Sequence, residues 1–273
     1  MLQDILPKKF NNHYSADIQP ENNSILFHFK GSEVLVNESS SPFPVYGKFM
    51  VEHIVYLFSI EDIHYFLARD MEVSIPDGYK YENIKTLRYS GNVGKVDFFA
   101  LFTAYHLSEW YRSNCFCGRC GQRTELYRAE RAVRCTGCGK IIYPRLNPAV
   151  IVGVVNGEKL LITRYVQNRG VTCNALVAGF TEIGETFEET VSREVMEEVG
   201  LNVKNIKYYK SQPWGFSGGI LAGFFCEVDG SDVITLDKSE LSSAIWTEKN
   251  DIVGQKDDYS LTNEMMMYFK NSD

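Results

Sequence analysis

At 273 residues the chain exceeds one average domain, which points to two large units or to one unit with small additions. Hydrophobic residues at 44% and charged residues at 23% describe a globular protein and exclude the disordered and fibrous classes. The formal charge of -7 excludes a protein that coats nucleic acid over its whole surface, while leaving room for a local basic patch. No apolar run reaches the ~18 to 20 residues of a bilayer span. The opening stretch lacks the apolar centre of a secretory signal, because Asp4, Asp17 and Glu21 interrupt it. Seven cysteines, at 115, 117, 120, 135, 138, 173 and 226, make one tight cluster and two scattered members. That usage reads as metal ligation in a reducing compartment, so a cytoplasmic protein without membrane association is expected.

In chain order, the stretch before residue 111 is rich in aromatic and β-branched residues and carries no chemical motif. Ser39-Ser40-Ser41-Pro42 reads as a loop, and Ile54 to Ile60 with Ile63 to Ala68 read as two strands joined at Glu61-Asp62. A β-rich N-terminal domain follows. From Lys95 to Arg112 the period lengthens, with Phe98, Leu101, Phe102 and Tyr105 on one helical stripe, so a linking helix leads into the cysteine cluster. After Tyr143-Pro144, two apolar runs, Ala149 to Val155 and Leu160 to Tyr165, flank Asn156-Gly157 as the strands of a hairpin. The expected division is 1–111, 112–143 and 144–273.

Cys117-Gly-Arg-Cys120 and Cys135-Thr-Gly-Cys138 are two C-x-x-C pairs at zinc-ribbon spacing, each followed by a glycine, Gly121 and Gly139. Four thiolates close a tetrahedral Zn2+ site and leave no position for substrate or water, so this zinc is expected to be structural. Between Arg112 and Arg145 eight basic residues stand against two acids, Glu125 and Glu130. The asymmetry suits a polyanionic ligand, and it also suits the charged surface of a ribbon too small for a core.

Residues 179 to 201 read GFTEIGETFEETVSREVMEEVGL, with seven glutamates and one arginine between 182 and 198. At about 100° per residue, Phe187, Val191, Val195 and Val199 form an apolar stripe, and Glu194 and Glu198, at about 340° and about 20°, lie at its edge rather than opposite it. Carboxylates at i and i+4 repel unless a cation lies between them, and a divalent ion supplies that charge. Glu197 is beside them, and Arg193 is placed to pair with Glu197 or Glu189. Glu188 falls on the stripe at the first turn, with no functional account. Gly200 stands where a helix C-cap glycine is expected.

These residues resemble the Nudix box, G-x5-E-x7-R-E-U-x-E-E-x-G-U with U a bulky aliphatic, at every fixed position. Downstream, Ser211-Gln212-Pro213-Trp214-Gly215-Phe216-Ser217-Gly218-Gly219 resembles the S-Q-P-W-P-F-P-x-S signature of the NADH pyrophosphatase subfamily, whose ribbon also precedes its Nudix domain. Gly215, Ser217 and Gly219 replace the two later prolines and the final serine, so a more flexible loop is expected. The resemblance implies an α/β fold of mixed α+β character: a mixed sheet between helices, preceded by the ribbon and the β-rich domain. It implies Mg2+ or Mn2+ on Glu194, Glu198 and Glu240, with the Ala178 carbonyl as a further ligand and Glu197 or Glu198 as the base. It further implies that Phe180 and Tyr143 sandwich a nicotinamide or adenine ring, Tyr143 coming from the second subunit of a homodimer, and that Glu130, Arg88 and residues 212–219 contact substrate.

The reading is thus an enzyme that cleaves the pyrophosphate of NADH or NAD+ to nicotinamide mononucleotide and AMP, and NAD-capped RNA is compatible with the same chemistry. Its rivals are hydrolysis of ADP-ribose or a dinucleoside polyphosphate, and a nucleic-acid-binding protein whose ribbon makes the contact.

Overall fold

The computed structural model describes residues 1–37, 42–166 and 173–272, so the loop expected at Ser39 to Ser41 lies outside the described residues. The chain divides into two compact units, Leu2–Arg145 and Leu146–Asp273, with Met1 belonging to the second.

In the first unit the strands are short because turn-forming residues interrupt every apolar run. They are β1 (Phe10–Asn11), β2 (Ile25–Phe27), β3 (Phe29–Lys30), β4 (Glu33–Asn37), β5 (Ile54–Ile60), β6 (Ile63–Ala68) and β7 (Tyr79–Asn83). They form two sheets, of order β1-β5-β6-β2 and β3-β4-β7. The β5–β6 hairpin turns at Glu61, whose φ of 50° is left-handed, as the sequence places it.

Buried His28, between β2 and β3, holds the two sheets together. Its Nε2 donates to the Asp70 carbonyl at 2.9 Å, which leaves Nδ1 to accept the Tyr81 hydroxyl at 2.6 Å. Burial keeps the ring below its ordinary pKa, consistent with that neutral tautomer. Helix α1 (Ile84–Ser90), which the periodicity does not reveal, starts on an Asn83 side-chain cap. Helix α2 (Lys95–Ser113) buries Phe98, Leu101, Phe102 and Trp110. The ribbon follows as β8 (Thr124–Tyr127), β9 (Ala132–Cys135) and β10 (Ile141–Ile142), antiparallel with β9 central.

The second unit is one mixed sheet between two helices. Its elements are β11 (Asn147–Asn156), β12 (Lys159–Tyr165), β13 (Val177–Phe180), α3 (Phe187–Val199), β14 (Val203–Trp214), β15 (Gly219–Val228), β16 (Leu241–Glu248) and α4 (Leu261–Asn271). The order is β14-β15-β11-β12-β16, with β13 added to β11, and the β11–β15 pair is parallel. A strand covered on both faces must be apolar at consecutive positions, which is why β11 reads AVIVGVV. Val150, Val152 and Val154 pack with Val191, Val195 and Val199 of α3, while Ile151 packs with Leu261, Met265 and Met266 of α4. Each of the three α3 valines is fully buried, an upper-bound contribution of about 1.5 to 3 kcal/mol apiece.

Candidate active site

Local chemistry sets both ends of α3. Thr186 caps the first turn in a reciprocal capping box with Glu189, and Gly200 ends the helix at φ 69°. Glu189 is therefore occupied by the cap, and Arg193 pairs with Glu197 and not with Glu189. The guanidinium makes a two-pronged contact with Glu185, Nε to Oε1 at 2.6 Å and Nη2 to Oε2 at 2.9 Å. It also reaches Glu194 at 2.7 Å, Glu197 at 3.0 Å and the Phe180 carbonyl at 3.0 Å. One arginine thus ties the loop after β13 to the helix and sets the rotamers of two glutamates. Periodicity could not show the Glu185 contact, because it joins a loop residue to the helix.

Glu198 is 2% exposed and Glu194 is half-buried. Phe187, expected on the buried stripe, is exposed at its start, and Glu188 is exposed as well. Burial raises the Glu194 carboxyl above its ordinary pKa; Arg193 opposes the rise, and Glu197 and Glu240 add to it. Glu240 reaches this field from a distant segment. Thr235 N–H donates to the Val199 carbonyl at 2.9 Å and Asp237 N–H to the Glu198 carbonyl at 2.9 Å, which lays the 235–241 segment along the end of α3.

A half-buried carboxylate, a buried one and a third close enough to shift a pKa form an all-oxygen donor set that suits a hard divalent cation. Among the described residues, however, no three of these carboxylates gather within 4.8 Å of one another. The β13 strand supplies the floor. The Ala178 side chain packs toward the α4 face, and Gly179 faces Glu194 so closely that a Cβ there would lie 1.9 Å from the carboxyl carbon.

The Phe180 ring is 51% exposed. Residues 211–214 are not a loop: they end β14, and Trp214 pairs with Gly219 across a tight turn at 215–218. Asn147 staples this turn, its N–H donating to the Gly218 carbonyl at 3.0 Å and its Nδ2 to the Ser217 carbonyl at 3.2 Å. A Cβ at Gly219 would come within 2.9 Å of the Asn147 carbonyl, so glycine serves close packing there rather than looseness. Trp214 and Phe216 meet edge to face at 6.0 Å, and Pro213 is exposed.

Gln212 is fully buried. Its Nε2 donates to the Tyr259 carbonyl at 2.7 Å and its Oε1 accepts the Leu261 N–H at 2.6 Å, so both ends of the amide hold the segment entering α4. In the first unit, the Tyr143 hydroxyl donates to Glu130 at 3.0 Å, which brings two of the expected substrate residues together, with the Tyr143 ring 52% exposed. Arg88 lies on α1, over the ring of Tyr89.

The four ribbon cysteines place their sulfurs within 4.8 Å of one another. Arg119 N–H points at the Cys117 sulfur and Cys138 N–H at the Cys135 sulfur, each at 3.4 Å. These donors pull Cys117 below its ordinary pKa and bring Cys135 to about 6, while the neighbouring sulfurs push Cys120 up to about 11, so four thiolates together need a cation between them. The geometry is that of a four-cysteine structural zinc site.

Comparison with known proteins agrees with both halves of this description. Residues 145–268 match the NUDIX domain and residues 112–143 the NADH pyrophosphatase zinc ribbon domain. Curated relatives include "NAD-capped RNA hydrolase NudC" of Enterobacter sp. (strain 638), 39% identical over 146 residues, covering 54% of this chain and 56% of that one. The same-named protein of Yersinia enterocolitica is 41% identical over 140 residues, covering 51% and 53%. The chain thus spans about half the length of the curated relatives it matches. Among solved structures, a NUDIX hydrolase from Nitrosomonas europaea aligns at TM-score 0.43 and 19% identity, over 50% of this chain and 79% of that one. No described helix is long and apolar enough to cross a membrane. The motif match, the capped and clamped box helix and the four-sulfur cluster thus agree with a NUDIX domain at residues 145–268 preceded by an NADH pyrophosphatase zinc ribbon domain at 112–143.

Proposed function

We propose that the chain hydrolyses the pyrophosphate bond of NADH or NAD+, releasing nicotinamide mononucleotide and AMP, and that the NAD cap of RNA is a substrate of the same site. The observation that carries the reading is Glu194 at the floor formed by Gly179, braced by Arg193 and one helical turn from buried Glu198, in a chain with the ribbon of NADH pyrophosphatases. The name shared by the curated relatives supports the RNA arm.

Glu194, Glu198, Glu240 and the Ala178 carbonyl would hold Mg2+ or Mn2+. Such an ion would neutralise phosphate oxygens and lower the pKa of a water. Arg193 keeps Glu194 and Glu197 in fixed rotamers, so that their carboxylates do not reorganise during the reaction. Glu197 or Glu198 accepts the proton of the attacking water. The water oxygen bonds to one phosphorus as the bridging oxygen leaves with the other phosphate, giving two monophosphates. Phe180 stacks on a nicotinamide or adenine ring, and in a homodimer Tyr143 of the second subunit covers the other face. Glu130, Arg88 and residues 212–219 are the further substrate contacts of this reading, Gln212 acting by placing the hairpin. A cytoplasmic location accords with the reduced thiols.

The test is product analysis by mass spectrometry after parallel incubation with NADH, NAD+, ADP-ribose and NAD-capped RNA. Nicotinamide mononucleotide formed from NADH, NAD+ or the capped RNA is expected. Turnover of ADP-ribose alone would replace this reading with that of a different nucleotide hydrolase.

A further inference from the structure

The ribbon's cations differ sharply between its two ends. At the hairpin end, Arg128 pairs with Asp17 at 2.5 Å. Arg131 is turned into the rest of its unit, where it donates to the carbonyls of Asn12 and Leu57 and lies over the Tyr14 ring. Arg131 is thereby withheld from an outside ligand, whereas Arg128 stays exposed beside a carboxylate that competes for it.

The knuckle end is organised the other way. Phe116 is 57% exposed, bridges to Arg123 across the first knuckle and carries the Arg123 guanidinium 5.5 Å from its ring centroid. The Arg123 carbonyl accepts Thr136 N–H at 3.0 Å, which sets the second knuckle beside the first. Arg119, Arg134 and Lys140 are exposed around this pair, and none of the four cations has an ion-pair partner among the described residues. Residues 115–124 and 134–145 contain no carboxylate; the nearest is Glu125, opposite Arg134 in the β8–β9 register. A zinc ion on four thiolates carries -2 at the centre of this end, and the four surface cations exceed it. The rest of the chain is acidic, so the patch is not a consequence of composition.

We propose that the knuckle end of the ribbon binds single-stranded RNA, with Phe116 as a base-stacking platform and Arg119, Arg123, Arg134 and Lys140 on the phosphates. It rests on the proposed function only in naming RNA as the body of a capped substrate. An exposed π face flanked by separated cations matches a chain that alternates base and phosphate. A duplex hides its base faces, and a free dinucleotide has a single pyrophosphate to offer.

The test uses the full zinc-loaded chain and a labelled, uncapped single-stranded RNA, followed by fluorescence anisotropy over a salt series. Uncapped RNA needs no hydrolysis to bind, so the outcome is independent of whether NADH is cleaved. The parent should bind RNA more tightly than inorganic polyphosphate of equal charge. Phe116→Ala should weaken RNA binding roughly tenfold. Arg119→Ala with Arg123→Ala should reduce the log-log salt slope by about 1.4, at roughly 0.7 per contact. Arg128→Ala, on the hairpin end, should leave that slope in place. Zinc content and thermal midpoint report whether each variant is folded, and Phe116→Tyr, which keeps a stacking ring, should retain binding. Equal affinity of parent and a folded Phe116→Ala would overturn the proposal, as would equal affinity for polyphosphate. If Phe116→Ala instead converts a dimer to a monomer in sedimentation, the patch is a self-interface and the RNA assignment is wrong.

Discussion

Gly179 and Glu194 are in such close apposition that one methyl group cannot fit between them: a Cβ at residue 179 would lie 1.9 Å from the Glu194 carboxyl carbon and 1.9 Å from Oε1. The strand floor and the helix carboxylate therefore define each other's position, and Arg193 prevents the carboxylate from simply swinging aside.

Gly179→Ala is accordingly expected to displace Glu194 and lower kcat by at least ~10²-fold. Residue 179 is in extended backbone that alanine also adopts, so the cost is that of displacing Glu194 and its Arg193 contact, about 1 to 3 kcal/mol in unfolding free energy. Steady-state kinetics with NADH and a urea titration check the two halves. Full activity would show that the apposition has no bearing on the chemistry.

Glu198→Gln preserves shape and removes a negative charge from a buried site. Loss of at least ~10²-fold in kcat with a normal unfolding curve is expected, because the proposed metal ligand would lose its charge without loss of packing. Turnover near the parent's in a Mg2+ assay would remove Glu198 from the site.

The Arg193 guanidinium beside Glu185 holds its carboxyl well below the ordinary 4.5, at about 2. Because the folded value lies below the unfolded one, the pair contributes stability above the unfolded pKa, and that stability is lost as pH falls toward the folded pKa. The gap in thermal midpoint between the parent and Glu185→Gln should be full at about pH 6 and shrink toward zero near pH 2. A gap that does not vary with pH would show that charge is not the source of the contact's stability.

Gln212→Ala removes the hydrogen bonds to the part-buried Tyr259 carbonyl and the buried Leu261 N–H at the entry to α4. A loss of about 2 to 4 kcal/mol in urea unfolding is expected. Since Gln212 lies in the strand that leads into the 215–218 turn, KM for NADH should rise more than kcat falls. A kcat effect alone, with KM unchanged, would argue for direct participation in the chemistry instead.

What the sequence alone determined is local. Ligand spacing in the two C-x-x-C pairs, the C-cap residue Gly200, the β5–β6 hairpin and the stripe of Val191, Val195 and Val199 are all relations within a few residues, where backbone geometry leaves little choice. The tertiary structure decided the relations between distant segments. It brings Glu240 within electrostatic reach of Glu194 by laying residues 235–241 on the end of α3, and it turns the Gln212 amide inward against Tyr259 and Leu261. It also draws Arg131 into the first unit while leaving Arg119 and Arg123 outside. A glutamine in a substrate motif and an arginine in a basic run have the same composition whether they face a ligand or a neighbouring strand. Only the packing of the whole unit decides which buried carbonyls need a donor.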